Sequence, residues 1–181
     1  MRRLSGFLLA AMILLGCESH QPITTVAHVD LQRFMGDWYV IANIPTFLEK
    51  GAHNAVESYE LNDDGTIGVT FHFQADAFDG ERKVYHPTGY VIEGSGNAVW
   101  GMQFLWPIKA EYRVIYLDSD YEVTVIGRSK RDYVWIMARK PQITDSKYDQ
   151  ILQFLQGEGY DIGKIERVPQ LWSTRQLASE D

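Results

Sequence analysis

The residues able to do chemistry are few and poorly arranged for it. Five histidines, His20, His28, His53, His72 and His86, are scattered along the chain with no His-x-x-x-His or His/Glu spacing, the spacing that brings two ligands onto one face of a zinc site. Each reads best as a solvated imidazole, His72 because it shares the polar parity of its segment. Neither a nucleophile elbow (Gly-x-Ser-x-Gly) nor a phosphate-cradling glycine loop occurs, and Gly94-Ser95-Gly96 has the composition of a hairpin turn. The carboxylates of Asp63-Asp64 and of Asp118 and Asp120 fall in turn clusters, where solvation and local capping are their ordinary work. Cys17 is the only cysteine, so no intramolecular disulfide forms. The chain is expected to have no catalytic residue, no metal site and no cofactor.

Cys17 itself has a distinctive setting. Met1-Arg2-Arg3 precedes an almost unbroken apolar run, Phe7 to Leu15, that ends at Gly16-Cys17. A bilayer core needs about 20 apolar residues, so this shorter run reads as an export signal and not as a membrane span. Leu14-Leu15-Gly16-Cys17 resembles the lipobox of bacterial lipoproteins. That resemblance implies removal of residues 1–16, a diacylglycerol on the Cys17 thiol and an acyl group on its new amine. Glu18-Ser19 follows where an aspartate would favour the inner membrane, which points to the periplasmic face of the outer membrane. Residues 17–29 are polar and aperiodic and are expected to be a lipidated tether, and residues 171–181 a polar tail.

The remainder has the composition of one folded domain. With 181 residues, five Trp, ten Tyr and eight Phe, the chain is too aromatic for disorder. Its 17 basic residues against 24 acidic ones give a net charge of −7, and loss of Arg2 and Arg3 with the signal brings it to −9. Nucleic acid is thereby disfavoured as a partner, since that affinity comes chiefly from neutralised phosphates. From Asp37 to Arg139, turn clusters such as Asn62-Asp63-Asp64-Gly65 and Gly94-Ser95-Gly96-Asn97 separate eight β-type runs, near 37–45, 54–61, 66–74, 82–93, 98–106, 110–117, 121–128 and 133–139. Ile67, Val69, Phe71 and Phe73 alternate with small or polar residues, and Trp100, Met102, Phe104 and Trp106 share one parity. Eight antiparallel strands suffice to close a barrel with room for side chains or one small ligand. Pro87 predicts a break in the fourth run. Beyond Arg139 the spacing of Tyr148, Ile151, Leu152 and Leu155 predicts a helix capped by Thr144, ended near Gly157 and packed outside the barrel. A short strand near 164–168 follows.

Three stretches then acquire a joint meaning. Gly36-Asp37-Trp38 at the head of the first run, Asp118-Ser119-Asp120-Tyr121 between the sixth and seventh, and Arg139 at the end of the eighth resemble, in order, the three motifs of the lipocalin family. Residues 30–170 are similar to its bacterial outer-membrane lipoprotein and apolipoprotein D group, which implies an all-β fold, an eight-stranded antiparallel up-and-down β-barrel with a C-terminal α-helix packed outside. It also implies that Trp38 and Arg139 pair across the narrow end, an arrangement worth about 0.5–2 kcal/mol.

The resemblance implies an amphiphile in the barrel, a fatty acid or lysophospholipid. If Trp38 points inward, parity carries Val40, Ala42 and Ile44 with it; with Phe71, Phe73, Trp100, Phe104 and Trp106 these are the expected lining residues. Arg113 would grip a carboxylate or phosphate if it faced inward, although exposure is the commoner state of a strand arginine. Two other readings stay open: an enzyme or haem protein on the same scaffold using His53, His72 or His86, and a barrel filled by its own aromatics that acts as an interaction module and forms a homodimer.

Overall fold

A computed structural model describes residues 23–172. Cys17, the expected signal and most of the expected tail lie outside the described residues.

Ten strands form one antiparallel sheet that closes on itself: β1 (Gly36–Ile44), β2 (Ala52–Leu61), β3 (Ile67–Ala75), β4 (Arg82–Tyr85), β5 (Thr88–Val91), β6 (Val99–Leu105), β7 (Ile108–Leu117), β8 (Val123–Gly127), β9 (Val134–Ala138) and β10 (Glu166–Arg167). Neighbours in sequence pair in turn, and β9 pairs with β1 to complete the barrel. The fourth expected strand is two, β4 and β5, both on β3 and divided at His86-Pro87, because proline offers no N–H to the ladder. β4 and β5 together occupy one place in an eight-strand barrel, and β10 is an addition on the outside of β1.

The start of β1, together with the one-turn helix α1 (Leu31–Phe34), closes one end. Arg139 lies over the Trp38 ring at 3.9 Å, and its guanidinium donates to the carbonyls of Arg33, Phe34, Met35 and Asp37 at 2.7–3.1 Å. One side chain thus satisfies the backbone acceptors left at the end of α1. Phe34, Trp38, Tyr59 and Trp100 cluster beneath it with centroids 5.0–5.9 Å apart, Phe34 and Trp38 tilted at 33° and the other contacts edge to face. In the turn between β7 and β8, Asp118 Oδ1 accepts from the N–H groups of Glu122 and Val123, and Tyr121 OH accepts from Asp30 N.

The helix α2 (Asp145–Gly157) has Thr144 as its N-cap, accepting from Lys147 N at 3.2 Å. It buries Tyr148, Ile151 and Leu155 on the outer face of the barrel, against Ile115, Val125, Val134 and Ile136.

Two expectations are corrected here. Ala42 and Ile44 do not follow Trp38 inward: a β-bulge between Val40 and Ala42 inserts one residue into the pairing with β9, which reverses the parity beyond it. Both join the outer cluster under α2. The carbonyls that the bulge turns outward are taken by Gln170 Nε2, at Val40, and by Val168 N, at Ile41. The second correction concerns the ends. Ile23 and Val29 are buried, and Val26 N and Val29 N donate to Val114 O and Gly96 O, so the packed domain begins before Asp30. At the other end Leu171 exchanges two hydrogen bonds with Asn54, and Trp172 packs on Tyr39. The barrel therefore holds the chain beyond position 170.

Candidate functional site

The open end leads into a cavity of about 370 Å³. Its walls are apolar for a simple reason: β3, β6 and β7 present one parity inward, giving Val69 and Phe71, Met102 and Phe104, Ala110 and Tyr112. The rim comes from the β1–β2 loop (Thr46, Phe47, Leu48), Leu105 on the β6–β7 hairpin, and Arg128 and Tyr133 on either side of the β8–β9 turn. Exposed apolar groups crowd that hairpin and loop, with Phe47, Leu105, Trp106 and Ile108 each more than three-fifths exposed.

Only two of the expected lining residues reach the cavity, Phe71 and Phe104. Trp38 and Trp100 are buried in the closed end below it, and Val40 and Phe73 belong to the same packed core without lining the space. Trp106 is 81 % exposed at the hairpin tip, because the ladder slips between Met102 and Leu105 and the inward parity does not extend to it. Arg113 is outside the lining as well. Tyr112 takes the inward position on β7, and Arg113 turns away to pair with Glu111 at 2.5 Å. His72 is less solvated than its parity suggested: its Nδ1 is buried without a hydrogen-bond partner, and burial pushes its pKa down.

The polar groups of the cavity are ones that the sequence analysis did not single out. Glu57 projects inward from the middle of β2, opposite Trp38 on β1 and Phe71 on β3. Tyr112 OH lies 2.8 Å from Tyr59 OH, and Tyr59 OH in turn donates to Glu57 Oε2. Burial raises the Glu57 pKa to about 7, opposed by the Tyr59 hydrogen bond and reinforced by the negative charge of Glu49. Glu49, 4 % exposed, is held at the rim by Thr46 N and Trp135 Nε1 at 2.9 and 3.0 Å, and burial raises its pKa too. The signal for Glu57 was available, since it shares a parity with Ala55 and Tyr59 in a run whose apolar members face inward. Glu49 sits in a loop and gave none.

Among the described residues, Arg128 is the one cation on the lining. Its Nε is 3.5 Å from Asp132 Oδ1, an ion pair without a directed hydrogen bond, and its guanidinium stands 5.2 Å from the centre of the Tyr133 ring. No group of three or more His, Cys, Asp or Glu among the described residues is placed to hold a metal.

Comparison with known proteins agrees with this architecture. The chain is 30% identical over 167 residues to the outer membrane lipoprotein Blc of Citrobacter freundii, covering 89% of this chain and 92% of that protein. It is 32% identical over 154 residues to temperature-induced lipocalin-1 of Arabidopsis thaliana, covering 80% and 81%. Among solved structures, insecticyanin from the tobacco hornworm Manduca sexta superimposes with a TM-score of 0.65 at 15% identity, over 85% of this chain and 86% of that one. The model of the lipocalin-like domain matches residues 29–170, and with the closed barrel, the Trp38–Arg139 pair and the external helix in place, the chain belongs to the lipocalin family.

Proposed function

We propose that this protein binds one amphiphilic lipid at a time, a lysophospholipid or fatty acid, and stores or carries it at the periplasmic face of the outer membrane, tethered by acyl groups on Cys17. The observation that carries the reading is the cavity: an apolar interior open at one end, with a few polar groups, is the form of a small-molecule binding site. The name of the Citrobacter relative, an outer membrane lipoprotein, supports the location. The lipobox-like Leu14-Leu15-Gly16-Cys17 supports the tether, which would hold the cavity close to the bilayer from which lipids arrive and raise their effective concentration. Arg128 at the rim is suited to an anionic head group in the way foreseen for Arg113. The reading needs no broken bond.

Trp135 on the cavity wall gives the assay. Delipidated protein titrated with lysophospholipids and with fatty acids is expected to show a saturable one-site change in tryptophan fluorescence. Absence of saturable binding by any amphiphile overturns the proposal.

A further inference from the structure

The inner end of the cavity is unlike its walls. Glu57 carries its carboxyl into an apolar space, and only one of its two oxygens is used: Oε2 accepts from Tyr59, while Oε1 receives no hydrogen bond from any described residue. The Tyr112–Tyr59 chain fixes the direction of the group, since each phenol has a single hydrogen to give. Tyr59 spends its hydrogen on Glu57, and Tyr112 spends its own on Tyr59. Glu57 is half-buried with its free oxygen facing the cavity; a carboxyl drawn from bulk water into an apolar space, with no cation beside it among the described residues, is stabilised by a donor that pairs with it, and the open space in front of Oε1 is where a ligand atom would stand.

We propose that Glu57 is the inner anchor of the binding site, accepting a hydrogen bond at Oε1 from a hydroxyl or ammonium group at the leading end of an apolar chain. The inference rests on the lipid-binding reading and adds a rule for head groups to it. Alcohols and amines enter polar end first, with the chain running out along Phe71, Met102 and Phe104 to the apolar rim. An ionised carboxylate is refused at that depth, because Glu57 and Glu49 are both acids and the cation of the described lining, Arg128, stands out at the rim.

The groups facing Glu57 are known from each side. They are Tyr59 on its own strand, Tyr112 on β7, Trp38 and Phe71 on the flanking strands, and Glu49 of the β1–β2 loop; Glu111 and Arg128 line the space farther out. Glu111 is held ionised by Arg113 and Ser129. Glu57 is thus the acid at the inner end whose charge changes near neutrality. An ammonium ligand binds best when that acid is ionised, and a fatty acid when it is protonated.

The test titrates the purified protein, and separately its Glu57→Gln and Glu57→Leu variants, with monomeric dodecylamine, dodecanol and laurate at pH 6 and pH 8. Thermal melts establish that each variant is folded. In the unsubstituted protein, dodecylamine is expected to bind about tenfold tighter at pH 8 than at pH 6 and laurate about tenfold weaker, the consequence of one linked proton. Dodecanol should change little with pH. Both pH dependences should vanish in Glu57→Gln, and Glu57→Leu should lose dodecanol and dodecylamine more than laurate. If all three probes bind but neither the pH nor Glu57 affects their order, the anchor is overturned and the lipid-binding reading survives. If none binds, both fall.

Discussion

The unliganded protein should carry the cost of Glu57 in its own stability, and replacing that residue with glutamine isolates the cost. The side chain keeps its size and its acceptor for Tyr59, while the ionisable oxygen facing the cavity is replaced by a neutral NH2. Burial moves the acid from its ordinary 4.5 to about 7, which at about 1.4 kcal/mol per pH unit corresponds to about 3 kcal/mol between the two protonation states. The sign follows from the raised value. Between pH 4.5 and 7 the folded protein holds a proton that the unfolded chain has released, so stability falls as pH rises through that window and levels off above it. Glu49, raised in the same direction, adds to the slope. At pH 5 the Glu57→Gln variant should match the parent. At pH 8 it should be more stable by about 1–3 kcal/mol, allowing for water that enters the cavity, or about 2–9 °C in Tm for a domain of this size. Urea titrations at pH 5, 6, 7 and 8 read the difference directly. A parallel pH dependence in the two proteins, or a variant less stable at pH 8, would refute the account of Glu57 as a desolvated acid.

Other consequences concern the closed end, the outer wall and the packed N-terminal segment. Arg139→Ala removes the donor to four carbonyls and the partner of Trp38 and should cost about 3 kcal/mol or more in urea unfolding, with Arg139→Lys recovering only part of it. Arg113→Ala breaks the half-buried ion pair with Glu111 and should cost about 1 kcal/mol in urea unfolding; a cost of about 3 kcal/mol or more would refute the reading of that pair as a minor support of β7. A chain beginning at Asp30 forgoes the burial of Ile23 and Val29 and should unfold at lower urea by about 3 kcal/mol or more, an expectation that equal midpoints would defeat.

What the sequence made legible was everything encoded in periodicity and in local signals. The strand runs, the break at Pro87, the Thr144 cap and the Tyr148–Leu155 stripe each depend on a few adjacent residues, and the structure has all of them. The Trp38–Arg139 contact spans about a hundred residues and was still foreseen, because the family motifs mark both partners. Parity was the weak step. A strand read by alternation assumes one residue per position, and the bulge at Val40–Ala42 breaks that assumption with no glycine or proline to announce it. Its cause is distant: the outward carbonyls of Val40 and Ile41 are taken by residues 168 and 170. A local reading of residues 36–44 could not contain them.

The same limit explains why Arg113 is the one polar candidate that the sequence offers for the site, and why Glu57 and Tyr112 are not singled out in it. Aromatic residues on one parity announce a buried face without saying which part of that face stays empty, and here Trp38, Trp100 and Phe34 fill the closed end while smaller or more distant side chains leave the space above it. Filling one end with indole and phenyl rings leaves a cavity whose inner boundary is drawn by the next inward residues, and on β2 and β7 these are Glu57 and Tyr112. An acid at that boundary is a poor choice for stability, as the raised pKa records. Leucine there would extend the apolar wall and remove the penalty. Glutamate instead places the one unsatisfied hydrogen-bonding atom of the Tyr112–Tyr59–Glu57 chain at the point where an entering ligand stops. The cost falls on the empty protein and is relieved when a donor arrives, so the difference between empty and occupied states, and with it the preference among head groups, is concentrated at a single oxygen.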